Sequence, residues 1–383
     1  MAKKGDFRTL CVHAGELKDT QYGGAISPLY ASTSYTFTDV KVGQYPRYFN
    51  TPNQRGLCKK IAALEGAEAG MIFGSGMAAI STALLSHLKS GDHVVFQNDL
   101  YGGTRNFIKH EFSKYGIEYS FAKGSLAKNF SVEIKNNTKG IYIETPSNPT
   151  LKIIDLKAIS SIAKKSGIWT MIDNTFASPV NQNPISFGID IVLHSATKYL
   201  GGHSDICAGV VLGSKKAINI VFASAKNLGG SLSDYTVWLL ERSVKTLFIR
   251  VQAQNNNAQQ IAEFLDKEDW VDHVFYPGLR SHPNHELAKA QMNGFGGMLS
   301  FNLKSFINSK KFLLSLMLIK PTMSLAGVES TALSPHLTSH ALLNENERSA
   351  QGISPQMIRF SSGIEAVDDL KSDLFQAYKK AKQ

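Results

Sequence analysis

The stretch IDIVLHSATKYLGGHSD, residues 189–205, decides how the chain is read. Residues 190–195 are a nearly continuous apolar run of strand length. A run without polar alternation marks a strand buried on both faces. Ser195, Thr197 and Lys198 follow it directly, and Gly201 and Gly202 come next. In open parallel sheets, ligands gather beyond the carboxyl ends of the strands. An amine at that point can be a surface charge, a phosphate contact or a covalent nucleophile.

Working outward, more runs of the same kind appear at 93–97 (HVVFQ), 140–144 (GIYIE), 169–173 (WTMID) and 209–213 (GVVLG). Helical periodicity lies between them. In 76–91, Met77, Ile80, Leu84 and Leu88 form one stripe, and 156–167 is also helical. Strands alternating with helices predict an α/β fold with a mostly parallel sheet. From about 236 a long helical region begins. Shorter strands follow (GMLSFNL, MIRFSSG), then a final helix with Val367, Leu370, Leu374 and Tyr378 on one face. The expected organisation is an arm over 1–49 lying against a partner subunit, a large domain over 50–249, and a smaller α+β domain over 250–383.

The ends of the predicted strands offer a consistent set of groups. Tyr101 follows the first, Asn148 the second, Asp173 closes the third, and Ser195, Thr197 and Lys198 follow the fourth. FGSGMAA (73–79) puts backbone N–H groups at a helix N-terminus, which favours an anion. No Lys-Ser/Thr pair follows, so this is not a Walker loop. One ligand uses all of these groups together. The helix N-terminus and the hydroxyls suit a phosphate, and Tyr101 a flat ring. Asp173 suits a protonated ring nitrogen, and Lys198 an aldehyde. That ligand is pyridoxal 5′-phosphate (PLP).

Composition narrows the class further. The 383 residues carry 41 Lys and Arg against 31 Asp and Glu, a net charge of +10. The basic residues are dispersed, and no interleaved basic and aromatic patch points to nucleic acid. Three cysteines, Cys11, Cys58 and Cys207, have no CxxC spacing, which argues against a metal site and for a reducing compartment. FLLSLMLI (312–319) is too short to span a membrane, and the basic start has no apolar core behind it. The expected location is the cytoplasm.

At these residues the sequence resembles the Cys/Met-metabolism family of PLP-dependent enzymes, which includes cystathionine γ-synthase, cystathionine γ-lyase, cystathionine β-lyase, methionine γ-lyase and O-acetylhomoserine sulfhydrylase. The resemblance runs from TLCVHAG (9–15) and GAISPLYASTSYTF (24–37) through YPR (45–47), DLYGGT, ETPSNPT, IDNTF and HSATKYLGGHSD to SLAGVES (324–330) and IRFSSGIE (358–365). It implies the aspartate-aminotransferase-like fold, fold type I. It implies that Lys198 bonds to the cofactor aldehyde, Asp173 holds the pyridine nitrogen protonated, and Tyr101 stacks on the ring and assists at the leaving group. Gly76, Met77, Ser195 and Thr197 would bind the phosphate, with Asn148 near the ring hydroxyl. Tyr45 and Arg47 would reach a neighbouring subunit's cofactor phosphate, in a homotetramer built as a dimer of dimers. Arg359, Ser324 and Asn148 would receive the substrate. The implied activity is β- or γ-elimination at a sulfur amino acid in methionine and cysteine metabolism.

Four positions depart from the commonest family patterns. The usual Asn-Pro-Thr after the arm tyrosine reads Asn50-Thr51-Pro52-Asn53. Asn106 stands where many relatives have arginine for a distal carboxylate. Met323 stands where cystathionine γ-enzymes have glutamate, and Gly103 where methionine γ-lyases have cysteine. The alternatives are therefore a γ-replacement transferase of the synthase or sulfhydrylase type, and methionine γ-lyase. An aminotransferase on the same fold, or a basic binding protein without catalysis, fits the sulfur-family strings and the intact Lys198, Asp173, Tyr101 and Arg359 less well.

Overall fold

The computed structural model describes residues 5–40, 43–341 and 343–382. Its first sheet has seven strands: β1 (Ala69–Phe73), β2 (His93–Gln97), β3 (Glu118–Ala122), β4 (Thr138–Glu144), β5 (Trp169–Asp173), β6 (Ile191–Ser195) and β7 (Gly209–Gly213). The order is β1-β7-β6-β5-β4-β2-β3. The five strands β3, β2, β4, β5 and β6 run parallel, whereas β7 is antiparallel to both β6 and β1.

Both faces of this sheet are covered. Val95, Ile141, Ile172, Val192 and Leu212 enter one apolar core, and Val94, Phe96, Tyr142, Met171, Leu193 and Val211 enter another. Two-sided burial is why these strands read as continuous apolar runs. The two strands that the apolar runs did not disclose, β1 and β3, are the two edges. Their first residues are half-buried or exposed, so their apolar signal is diluted. The arm also differs from its extended reading. Phe7–His13 is helical, Cys11 packs with Leu57 and Ile61, and the buried Lys60 amine donates to the Cys11 and Val12 carbonyls at 3.1 and 2.8 Å.

The helical region after 233 is two helices, Asp234–Val244 and Leu247–Leu265. A second sheet follows, made of β8 (Val271–Phe275), β9 (Met298–Leu303), β10 (Thr331–Leu333) and β11 (Met357–Ser361). It is antiparallel, in the order β10-β11-β9-β8. Ile261 and Leu265 from one helix and Leu370 and Leu374 from the last helix, Val367–Ala381, pack with Leu299, Phe301 and Phe360. Tyr378 stacks on the buried Trp270 with ring centroids 4.9 Å apart. No helix of the described residues is long and apolar enough to cross a membrane.

Candidate active site

β2, β4, β5 and β6 are neighbouring parallel strands, so their carboxyl ends lie side by side, and the N-terminus of the helix Gly76–His87 meets the end of β6 at Ser195. Ser75 caps that helix by accepting from the Ala78 N–H at 3.0 Å. A Cβ on Gly76 would come within 2.8 Å of Ser195 Cβ and 2.9 Å of Ser195 Oγ. Glycine there lets the helix N-terminus and the Ser195 hydroxyl share one small concavity. Thr197 turns the other way: its hydroxyl donates to the Ala208 carbonyl at 3.2 Å and accepts the Ala208 N–H at 3.1 Å.

Asp173, the last residue of β5, is buried. Its Oδ1 accepts from the Thr175 N–H at 3.0 Å and the Thr175 hydroxyl at 2.5 Å. Among the described residues its Oδ2 has no hydrogen-bond donor. Burial raises the carboxyl's pKa, and the Thr175 bonds oppose that shift. Tyr101 sits at the start of the helix Gly102–Glu111. A Cβ on Gly103 would lie 2.5 Å from Tyr101 Cε1 and 3.3 Å from Met77 Sδ. The absent side chain at 103 thus leaves the space that the tyrosine ring enters from one side and the Met77 thioether borders from another.

The loop after β6 is wound tightly. Lys198 N–H donates to Ser195 O at 3.1 Å, and Gly202 N–H donates to Lys198 O at 2.7 Å. Gly202 has φ +69°, and a Cβ on it would collide with Arg250 Nη1. Arg250 is buried and donates to the Tyr199 and Ser243 carbonyls at 2.9 and 3.0 Å, bracing the loop from beneath. Lys198 emerges above it, and its amine donates to Ser324 Oγ at 3.0 Å. Burial, then the nearby Arg359 cation, pushes the amine down to about 8.

Arg359, on β11, donates from Nη1 to Asn148 Oδ1 and from Nη2 to the Ser324 carbonyl, both at 3.1 Å. It is buried, and burial lowers its pKa to about 10. Ser324 holds φ +83°, an uncommon conformation for a non-glycine residue. Lys198, Ser324, Arg359 and Asn148 therefore form one hydrogen-bonded group, assembled from both sheets. Tyr45 and Arg47 stay outside it. Arg47 donates to the Lys226 carbonyl at 2.7 Å and lies over the rings of Tyr45 and Tyr48.

Glu144 is a residue that sequence reasoning passed over. Its Oε2 accepts the Tyr101 N–H at 2.8 Å and its Oε1 the Asn148 N–H at 3.1 Å, so one buried carboxylate sets two site residues. Burial, then Asp173, holds its pKa well above the ordinary range. Its place at the very end of a buried apolar strand was the available signal.

The sequence model described as the Cys/Met metabolism PLP-dependent enzyme family matches residues 8–379. The cystathionine beta-lyase of Lactococcus lactis subsp. cremoris (strain MG1363) is 42% identical over 377 residues, covering 97% of this chain and 99% of that protein. The L-methionine gamma-lyase of Fusobacterium nucleatum subsp. nucleatum is 39% identical over 393 residues, covering 99% of each. The crystal structure of cystathionine gamma-lyase from Lactobacillus plantarum complexed with L-serine superposes with a TM-score of 0.95 at 37% identity, covering 98% of this chain and 99% of that one.

Proposed function

The chain belongs to the Cys/Met metabolism PLP-dependent enzyme family and is a PLP-dependent carbon–sulfur lyase, and we propose that it cleaves the C–S bond of cystathionine or a related sulfur amino acid by β- or γ-elimination. The observation that carries this reading is the Lys198–Ser324–Arg359–Asn148 group, with Asp173 beside it on the neighbouring strand.

The residues fit the cofactor. Asp173 offers an oxygen that has no donor among the described residues, Lys198 an amine of lowered pKa, and Gly76 with Ser195 a concavity that a single Cβ would fill. Lys198 would hold the aldehyde, Asp173 the pyridine nitrogen, and the helix N-terminus with Ser195 the phosphate. When bound, the cofactor supplies an electron sink for the pair left at the substrate's Cα.

The remaining roles belong to the chain's own side chains. Arg359 presents two N–H donors in one plane and grips the substrate α-carboxylate, displacing its present contacts to Asn148 and Ser324. That grip fixes which Cα bond is presented for cleavage. Lys198 Nζ takes the proton from Cα, and its lowered pKa suits that step near neutral pH. The partly exposed Tyr101 flanks the ring position and assists at the departing sulfur.

We assign the exposed arm residues Tyr45 and Arg47 to a neighbouring subunit's cofactor phosphate, within a homotetramer. Their separation from the Lys198 group of their own chain supports this. The unpaired Cys11, Cys58 and Cys207 suit a cytoplasmic enzyme.

The test is a product assay with cystathionine, methionine, homocysteine, cysteine and acylated homoserines. Keto acid and ammonia from cystathionine are expected. Cystathionine forming from an acylated homoserine and cysteine faster than keto acid appears would make the enzyme a γ-replacement transferase. A Lys198→Ala variant that keeps both the visible cofactor absorbance and turnover would overturn the site assignment.

A further inference from the structure

Glu65 ends the helix Pro52–Glu65 and is 0% exposed. This is a poor place for a carboxylate. Burial removes its water, and the carbonyl end of a helix repels negative charge. What it touches accounts for its position. Oε1 accepts from Asn174 Nδ2 at 2.9 Å. Oε2 lies 3.5 Å from Nε2 of the buried His194, and among the described residues neither of these two atoms has a hydrogen-bond partner. A proton on Nε2 gives each of them its partner.

The sheet places both neighbours. Asn174 directly follows Asp173, and His194 directly precedes Ser195. Asp173 pairs with Leu193 across β5 and β6, and the Asn174 N–H continues that ladder by donating to the Leu193 carbonyl at 2.9 Å. Side chains alternate along a strand, so Leu193 enters one core and His194 turns to the opposite face. That is the face of Val192, Ile61 and Leu64, to which the end of the helix Pro52–Glu65 brings Glu65. The two strand ends also bridge each other locally. The Ser195 N–H donates to Thr175 Oγ1 at 2.8 Å, and the Thr175 hydroxyl donates to Asp173 Oδ1. Glu65 adds a bridge from outside the two strands.

Asp173 and Ser195 are the residues assigned above to the two ends of the cofactor, its ring nitrogen and its phosphate. One buried carboxylate thus holds the residue after the first and the residue before the second. We propose that Glu65 is a positioning residue for PLP: it fixes the separation of the β5 and β6 ends, so that Asp173 and Ser195 meet one cofactor together. Glu65 acts through Asn174 and His194 and is not itself a contact. This role rests on the cofactor reading given above.

The test separates holding the cofactor from holding the fold. Replacing a buried ion pair by apolar residues of similar volume is often neutral or stabilising. Glu65→Leu combined with His194→Leu should therefore give an apoenzyme that melts close to the original. Its PLP dissociation constant, measured by equilibrium dialysis without substrate and well below the melting temperature, should nevertheless rise about tenfold or more, because the site is no longer preorganised. The visible circular dichroism of the bound cofactor should change with it. A purely structural role predicts normal melting with normal affinity. Asn174→Ala, which cuts the hold on β5 and leaves Glu65 facing His194, should also loosen PLP, and it decides the matter if the double variant fails to fold. Unchanged PLP affinity in either folded variant, with normal uptake by the original enzyme, overturns the proposal alone. An original enzyme that takes up no PLP overturns the cofactor reading and this proposal with it.

Discussion

The Lys198 amine donates to the Ser324 hydroxyl at 3.0 Å, across 126 positions of chain. This bond ties the loop after β6 to the loop that leads into β10, and Arg359 holds the same serine by its carbonyl. The amine therefore sits beside a buried cation, and its protonation is disfavoured from two sides.

Capture of PLP by the apoenzyme should follow the unprotonated amine. Its rate should rise with pH through about 8 rather than near the ordinary lysine value of 10.5. Arg359 lowers this pKa, so Arg359→Leu should move the midpoint upward. Stopped-flow absorbance against pH measures it, and a midpoint that stays put or falls contradicts the coupling.

Asp173→Asn replaces a carboxylate whose one oxygen is anchored by Thr175. The amide can keep that anchor through its own oxygen but cannot hold a pyridine nitrogen protonated. The variant should fold, with circular dichroism unchanged, and lose turnover on the order of a hundredfold or more, as when a preorganised charge is removed from a site. Near-normal turnover would remove Asp173 from the cofactor's partners.

Gly76→Ala places a methyl group 2.8 Å from Ser195 Cβ. Its neighbours are backbone and a short side chain, so the concavity closes rather than adapts. Cofactor affinity should fall about tenfold or more, equivalent to about 1.4 kcal/mol or more. Equilibrium dialysis against PLP, with substrate absent, decides the point.

Two buried histidines predict acid sensitivity. Burial, then Arg359, lowers His340 to about 4, and burial, then His273 and His285, lowers His282 to about 4. Between pH 6.5 and 4 the unfolded chain binds protons that the folded chain refuses. Stability should therefore fall as the pH drops through that window. His340→Gln should flatten part of the slope of melting temperature against pH, and an unchanged slope would count against the assignment.

Much of this arrangement is legible in the residues. The central strands were readable because burial on both faces demands unbroken apolar runs, whereas the edge strands β1 and β3 were hidden by their half-exposed residues. Asp173 and Lys198 stood out because one closes a readable strand and the other follows one. Glu144 and Arg250 did not. Their work is to fix other residues through hydrogen bonds to backbone, which leaves no local pattern.

The sequence by itself determined the fold class and the cofactor chemistry, because strand periodicity and groups placed at strand ends are local properties of the chain, and its motif strings carried the resemblance to the family. Tertiary structure alone decided that Ser324 meets Lys198, that Arg359 is held by Asn148, and that Thr197 turns to Ala208. It also decided that Arg105 is locked between Phe121, Asn98 and Glu347. The Lys198–Ser324 and Arg359–Asn148 pairings join segments 126 and 211 positions apart in the chain, and only folding that brings the loops of the first sheet to those of the second sets them within hydrogen-bonding reach.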